Sequence, residues 1–452
     1  MSQREEGNLP DDVLRDLDSF DPAVRASALE TAVRAIASGD VAVPPVRDIS
    51  NVHAHTFHSY SIRDYSPSRL VWEAVRRGLS VVGSTDFDVL SAMDEMYSAG
   101  AALGIRATVS LETRAFVESY ADREINSPGE PGVMYVMGVG FTRMPGADTL
   151  FPSLVEQSRS RNLEMIGKIN PVLGPGAIDY AVDVLPLTPS GNATERHICA
   201  ACDVKARAVF SGTKELAAHW AGVLGVSTDE AEKLVADSGA LRNTIRAKLM
   251  KRGGVGYAQP GKGSFPRVED FFAMVAGARA VPCQAWLDGL SAGESDPGRL
   301  QDDAMSWGAR VVNVIPERNW NIADPGMKKR KLAALDAFVR AARERHLPVL
   351  AGTEMNGPGQ RFVDAFEAPE LAPYVGDFQD AAYWLYGHTV MERLAGKGVM
   401  SEWAAAAFAG DRAAGNAFYT EAGRAASPRM KLTNRTIADG ASPAEALAIL
   451  KE

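Results

Sequence analysis

Two histidines separated by one residue, His53 and His55, close the segment Asn51-Val52-His53-Ala54-His55-Thr56-Phe57-His58, which reads as the end of a β-strand starting near Arg47. Alternate strand residues face the same side, so the two imidazoles can aim two nitrogen ligands into one cavity. Imidazole suits zinc, iron or manganese, and a strand holds the pair at fixed separation. Three of the seven histidines fall inside the six residues from His53 to His58, a concentration that packing does not require. Polar residues also collect at other expected strand ends: Asp86 and Asp88, Glu112 with Arg114, Gln284 with Asp288, Glu317 with Arg318, and Glu354 with Asn356. A single Asp after a strand is more often a cap or turn residue. Two histidines and several carboxylates converging on one mouth would instead make a metal site.

The elements that must position these residues follow from hydrophobic spacing. Short apolar runs at 46–55, 79–86, 107–113, 133–141, 280–287, 309–315 and 347–353 read as strands, with amphipathic helices between them. Such alternation predicts parallel pairing, and seven strands approach what a closed barrel needs. The expected fold is therefore α/β, a distorted (β/α)7 TIM-like barrel over residues 46–363, with its chemistry at the C-terminal strand ends. Helical additions are expected at 1–45, where Asp21-Pro22 is an N-cap and first-turn pair, and at 364–452, where Ser442-Pro443-Ala444-Glu445 is a capping box. A helical insertion is expected at 211–254, with an N-cap at Ser227 or Thr228, and the Gly-rich 256–265 stretch reads as a loop returning to the barrel.

The chain has 452 residues, 46% of them hydrophobic, enough to bury a large core. A net charge of −9 disfavours general nucleic-acid or acidic-membrane binding, leaving a local basic pocket as the place for an anion. The polar, acidic start and the lack of a long uncharged apolar run predict a cytoplasmic protein with no membrane partner. Three cysteines, Cys199, Cys202 and Cys283, are too few for a disulfide framework; Cys199-x-x-Cys202 has no second pair and reads as packed helical thiols. His58 reads as solvent-facing or a further ligand, and His219, His346 and His388 read as structural.

The order His53-Ala54-His55, Thr85-Asp86, Leu111-Glu112 and Gly352-Thr353-Glu354 resembles the PHP family of metal-dependent phosphoesterases across residues 48–360. Tyr65-Ser66-Pro67, the stretch 159–174 with Arg161-Asn162, and Thr194-Glu195-Arg196-His197-Ile198-Cys199 resemble its nucleoside-bisphosphate phosphatase and RNA 5′-exonuclease subgroup. The resemblance implies His53, His55, Glu112 and Glu354 as ligands of a first divalent metal (Zn, Mn or Fe) and His197 as an active-site histidine. The chain departs from the family pattern at Phe87, Tyr135, Ala285-Trp286-Leu287 and Glu354-Met355-Asn356, where imidazole ligands usually stand. A three-metal centre is therefore not expected. One or two ions are, the second relying on oxygens of Asp86, Asp88, Asn356 or Gln284.

These readings predict a metal-dependent hydrolase acting by a metal-bound water on a small anionic phosphorylated substrate. Asp86 or Asp88 would take the proton. Arg114 and Arg318, with Gln284 and Asn356, would bind the substrate, and Arg361 is a further clamp candidate. A single-metal enzyme of lyase, isomerase or amidohydrolase type on a sugar-like substrate is the alternative, since Phe87, Tyr135 and Trp286 would make the pocket aromatic. A non-catalytic binding protein is the second alternative. Oligomeric state is not readable from the sequence.

Overall fold

The computed structural model describes residues 9–260, 263–357, 359–429 and 436–451. Gly261 and Lys262 of the expected 256–265 loop lie outside these. Seven strands form one sheet in sequential order: β1 (Ser50–Ala54), β2 (Val81–Phe87), β3 (Arg106–Phe116), β4 (Val133–Val139), β5 (Val281–Trp286), β6 (Val311–Val314) and β7 (Val349–Ala351). All seven fall where hydrophobic spacing placed them, and the sheet curls into a nearly closed, TIM-like barrel flanked by helices. Helices Pro67–Arg76, Met93–Leu103, Val268–Gly277, Pro297–Trp307 and Pro325–Glu344 pack around it, each burying one apolar face.

The expectation of purely parallel pairing needs correction. β4 runs antiparallel to both β3 and β5, while the other four neighbouring pairs are parallel. A parallel crossover takes a dozen or more residues, usually a helix. The β3–β4 connection contains only the single turn Glu118–Tyr120, so the chain reverses instead. The start of β4 therefore lies beside the end of β3, with Tyr135 opposite Arg114 at the mouth.

Between β4 and β5 lie the helices Phe151–Leu173, Glu195–Val209, Thr213–Leu224, Thr228–Ala236 and Ser238–Ile245. They gather a cluster of their own around Ile169, Cys199, Cys202, Trp220, Leu241 and Ile245. Both thiols are packed there, Cys199 Sγ lying 3.5 Å from Met250 Sδ. Helix Val375–Ala395 packs against β1, β2, β3 and β7 at the end opposite the mouth. Its residues Ala381, Ala382, Trp384 and Leu385 join one buried cluster with Val52, Val81, Met137, Val281, Cys283, Val311 and Leu350. No described helix is long and apolar enough to cross a membrane.

The seam between β1 and β7 closes only at the mouth. His55 N donates to Glu354 O at 2.8 Å, and Glu354 N donates to His53 O at 2.8 Å. Two consecutive residues there, Glu354 (φ +60°) and Met355 (φ +57°), sit in the left-handed region, where a non-glycine residue is strained by about 1–3 kcal/mol. Gly352 permits the approach, because any Cβ on it would run into His53.

Candidate metal centre and cavity

The end of β1 with the residue after it, and β3 at the level where β2 ends, bring His53, His55 and Glu112 together. One ligand atom from each lies within 4.8 Å of the others, and all three residues are buried. His55 Nε2 is 3.3 Å and His53 Nε2 is 3.7 Å from the same Glu112 oxygen, Oε2. Neither Nε2 has a hydrogen-bond partner.

The hydrogen bonds behind the rings decide their tautomers. Asn313 turns its Nδ2 toward Leu350 O at 3.4 Å, which leaves its Oδ1 2.9 Å from His53 Nδ1. His53 therefore donates from Nδ1. Ser59 Oγ donates to Asp86 Oδ1 at 2.6 Å; a hydroxyl has one proton, so toward His55 Nδ1, 3.0 Å away, it can only accept. His55 donates from Nδ1 as well. Both Nε2 lone pairs are then bare, and both face one carboxylate oxygen. Two buried imidazole lone pairs and a carboxylate without a filling donor fit a divalent cation, which takes such N,N,O sets with positions left for water or substrate.

The charges agree with this reading. Burial opposes ionisation of Glu112, yet its contacts with His53 and His55 hold its pKa down at about 2. Burial also works against a proton on His53, but Glu112, with Glu354 and Asn313, raises its pKa above the ordinary value. Glu112 is thus held ionised beside the two imidazoles, and a divalent cation would compete with protons for their Nε2 atoms.

Glu354, expected as a fourth ligand, stands outside this tight group. Its Oε2 accepts from Arg318 Nη2 at 2.8 Å and from Gln360 Nε2 at 3.2 Å. Arg318, expected to bind substrate, lines the cavity; its second nitrogen, Nε, is buried without a partner.

Asp86 and Asp88 part company. Asp86 accepts from Thr56 N (2.9 Å), Thr56 Oγ1 (2.8 Å) and Ser59 Oγ, and it stands behind His55 rather than on the cavity wall. Its carboxylate is fully employed in holding the turn after β1. Asp88 does line the cavity, at φ +62°, accepting from Thr113 Oγ1 at 2.5 Å. Burial raises its pKa despite Thr113, Arg161 and Arg114 nearby.

Three expected site residues lie elsewhere. Gln284 is fully buried and faces away from the cavity: its register neighbours Val136 and Val312 belong to the layer between sheet and helices, and Ala285 takes the inward position. Because side chains alternate, a one-residue difference exchanges the faces. His197 is the N3 residue of a capping box, its Nδ1 accepting from Thr194 N at 3.0 Å at the start of helix Glu195–Val209. Burial lowers its pKa to about 4, and it does not line the cavity. Arg361 pairs with Glu317 at 3.4 Å and lies over Trp320, off the cavity wall.

The cavity above the triad has a volume of about 710 Å3 and is walled on the far side by the helical layer. Asn356 is on its rim with Gln360. Several wall cations are paired: Arg114 with Glu130 at 3.1 Å, and Arg246 (2.9 Å) and Lys251 (2.8 Å) with Glu195. Arg161 and Arg196 have no carboxylate partner among the described residues. Arg161 reaches Ser264 O, and Phe265 lies between the Arg161 and Arg114 guanidiniums at 4.6 and 4.4 Å. Burial and the neighbouring Arg114 lower the Arg161 pKa to about 10. Phe87, where the resemblance expects an imidazole, stacks on His55 at 4.5 Å, and Tyr135 lies beside it.

Ser59 and Asn313 were not singled out in the sequence. Asn313 had a signal, as the one polar residue within Val311-Val312-Asn313-Val314; Ser59, a turn residue, had none beyond its spacing from His55.

No family model matches the chain, and no curated protein matches it. Among solved structures, an amidohydrolase from Chromobacterium violaceum with bound sulfate and no metal is similar at 16% identity and a TM-score of 0.45, over 69% of this chain and 88% of that one. A protein from Bifidobacterium adolescentis described as a metal-dependent phosphoesterase is similar at 17% identity and a TM-score of 0.44, over 74% of this chain and 98% of that one. Both likenesses are too distant to carry function, which rests on the residues themselves.

Proposed function

We propose that this protein is a divalent-metal-dependent hydrolase of a small phosphate ester. The observation that carries the reading is the pair of bare, buried Nε2 atoms of His53 and His55 facing one Glu112 oxygen at the floor of a cavity with two guanidiniums that have no carboxylate partner among the described residues. His53, His55 and Glu112 would hold the ion, which supplies Lewis acidity and a water acidified toward neutrality. Asp88 is the residue suited to take a proton in the cavity, since a carboxylate with a raised pKa is a stronger base than an ordinary one. Arg161 and Arg196 attract and orient an anionic substrate, and the buried setting strengthens that attraction relative to water. Cytoplasmic location remains part of this proposal.

The test is phosphate release from a panel of phosphomonoesters by metal-stripped protein, before and after adding Mn2+ or Zn2+. Turnover is expected only with metal, and His53→Ala should abolish it. Turnover indifferent to a chelator would refute the reading. Phe87 stacked on His55 favours one second reading, a non-phosphatase reaction at the same triad on a less charged substrate. Metal-dependent turnover of an amide or sugar panel with no phosphate release would select it.

A further inference from the structure

We infer that the centre holds a single metal ion and that Arg318 serves as its fixed second cation, neutralised in part by Glu354 and offering the exposed part of its guanidinium to an anionic oxygen of the substrate. This rests on the metal reading of the His53–His55–Glu112 group. A second ion needs several carboxylate oxygens converging on one point: both Asp86 oxygens are taken by protein donors, while Asp88 Oδ2 and Glu354 Oε1 keep no donor among the described residues but join no convergent group. Asp86 accepts from Thr56 and Ser59, Asp88 from Thr113, and Glu354 from Arg318 and Gln360. Among the described residues, only one group has the close convergence a metal requires.

Arg318 is half-exposed on the cavity wall, and its position is fixed from two sides. It comes from the short helix Glu317–Trp320 that directly follows β6, so its backbone is fixed by the barrel. One guanidinium edge meets Glu354, in the turn that closes the barrel seam against His53 and His55. The Arg318 Nε–H is buried without an acceptor, so the part of the guanidinium open to a ligand is the rest of the group, which lines the cavity. A positive charge that never leaves supplies the electrostatic part of a second metal's work, without its coordination chemistry. It would also repel a second divalent ion from the same place.

The experiment is titration of metal-stripped, full-length protein with Mn2+ by calorimetry, with bound metal counted independently by elemental analysis. The parent protein and Arg318→Lys are expected to saturate at one ion per chain. Glu354→Gln should lower the ion's affinity by no more than about 10-fold, the lower limit for an outer-shell change, whereas His55→Ala should lower it by more than about 100-fold. Two ions per parent chain, or a Glu354→Gln loss equal to that of His55→Ala, would overturn the inference, because Glu354 would then be a ligand. No uptake by the parent would instead remove the metal reading on which it stands. Circular dichroism of each variant guards against misfolding, and Glu354→Gln tests the idea independently of any change at Arg318.

Discussion

Replacing Ser59 by alanine isolates the hydrogen bonds that set the His55 tautomer. In the parent protein Ser59 Oγ lies 3.0 Å from His55 Nδ1 and donates to Asp86 Oδ1 at 2.6 Å. Asp86 keeps two donors after the change, Thr56 N and Thr56 Oγ1, so the carboxylate remains in place. The group left stranded is His55 Nδ1–H, in a side chain with 0% exposure. A buried donor without an acceptor costs about 1–3 kcal/mol, which the ring can relieve by flipping or by moving its proton to Nε2. Either response removes the lone pair aimed at Glu112. The expected loss in metal affinity is about 10- to 100-fold, equivalent to about 1.4–2.7 kcal/mol. Competition between the protein and a chromophoric chelator for Zn2+ at pH 7.5 measures it. Ser190→Ala is the control: its hydroxyl meets His58 Nδ1 at 3.1 Å, and His58 is not part of the triad, so affinity should change by less than about twofold. If Ser59→Ala binds Zn2+ within twofold of the parent while His55→Ala does not bind, the tautomer reasoning is wrong.

Arg161→Ala should raise KM for an anionic substrate by about 10-fold or more, with a smaller effect on kcat, since a hydrogen bond to a charged group is worth about 1.5–3 kcal/mol; an unchanged KM would show that the anion sits elsewhere. Because Glu112 and Glu354 raise the His53 pKa, protons compete with metal there at pH values above the ordinary imidazole range near 6.5. Affinity should therefore rise steadily between pH 6 and pH 8, and a flat profile of Kd against pH would exclude His53 as a ligand. Gly387→Ala should destabilise the protein by about 1–3 kcal/mol or more, because its Cβ would strike the Tyr419 carbonyl where helices Val375–Ala395 and Arg412–Ala425 cross. Gly167→Ala, with open space around the new Cβ, should stabilise by up to about 1 kcal/mol, and equal thermal midpoints for the two variants would contradict the packing argument.

The barrel was legible because its signals are local. Each strand is an apolar run bounded by turn residues, and three of the five flanking helices open on a side-chain cap, Ser66, Asp296 and Asp324. The convergence of His53 and His55 was legible too, since strand geometry alone puts them on one side. The sequence could not give the direction of β4, which depends on how a connection without a helix folds back, nor which face Gln284 takes, which depends on register across three strands. It marked Asp86 and Asp88 as equals, and only their packing separates them: one is enclosed by the turn after β1 and the other opens to the cavity. Likewise Glu354 reads along the chain as one more ligand, and the pairing of its Oε2 with Arg318 exists only once β6 and β7 are side by side. Residue types and spacing thus fixed which chemistry was within reach. Which carboxylate is left free to perform it was decided by hydrogen bonds between residues far apart in the chain, and those exist only after the barrel has closed.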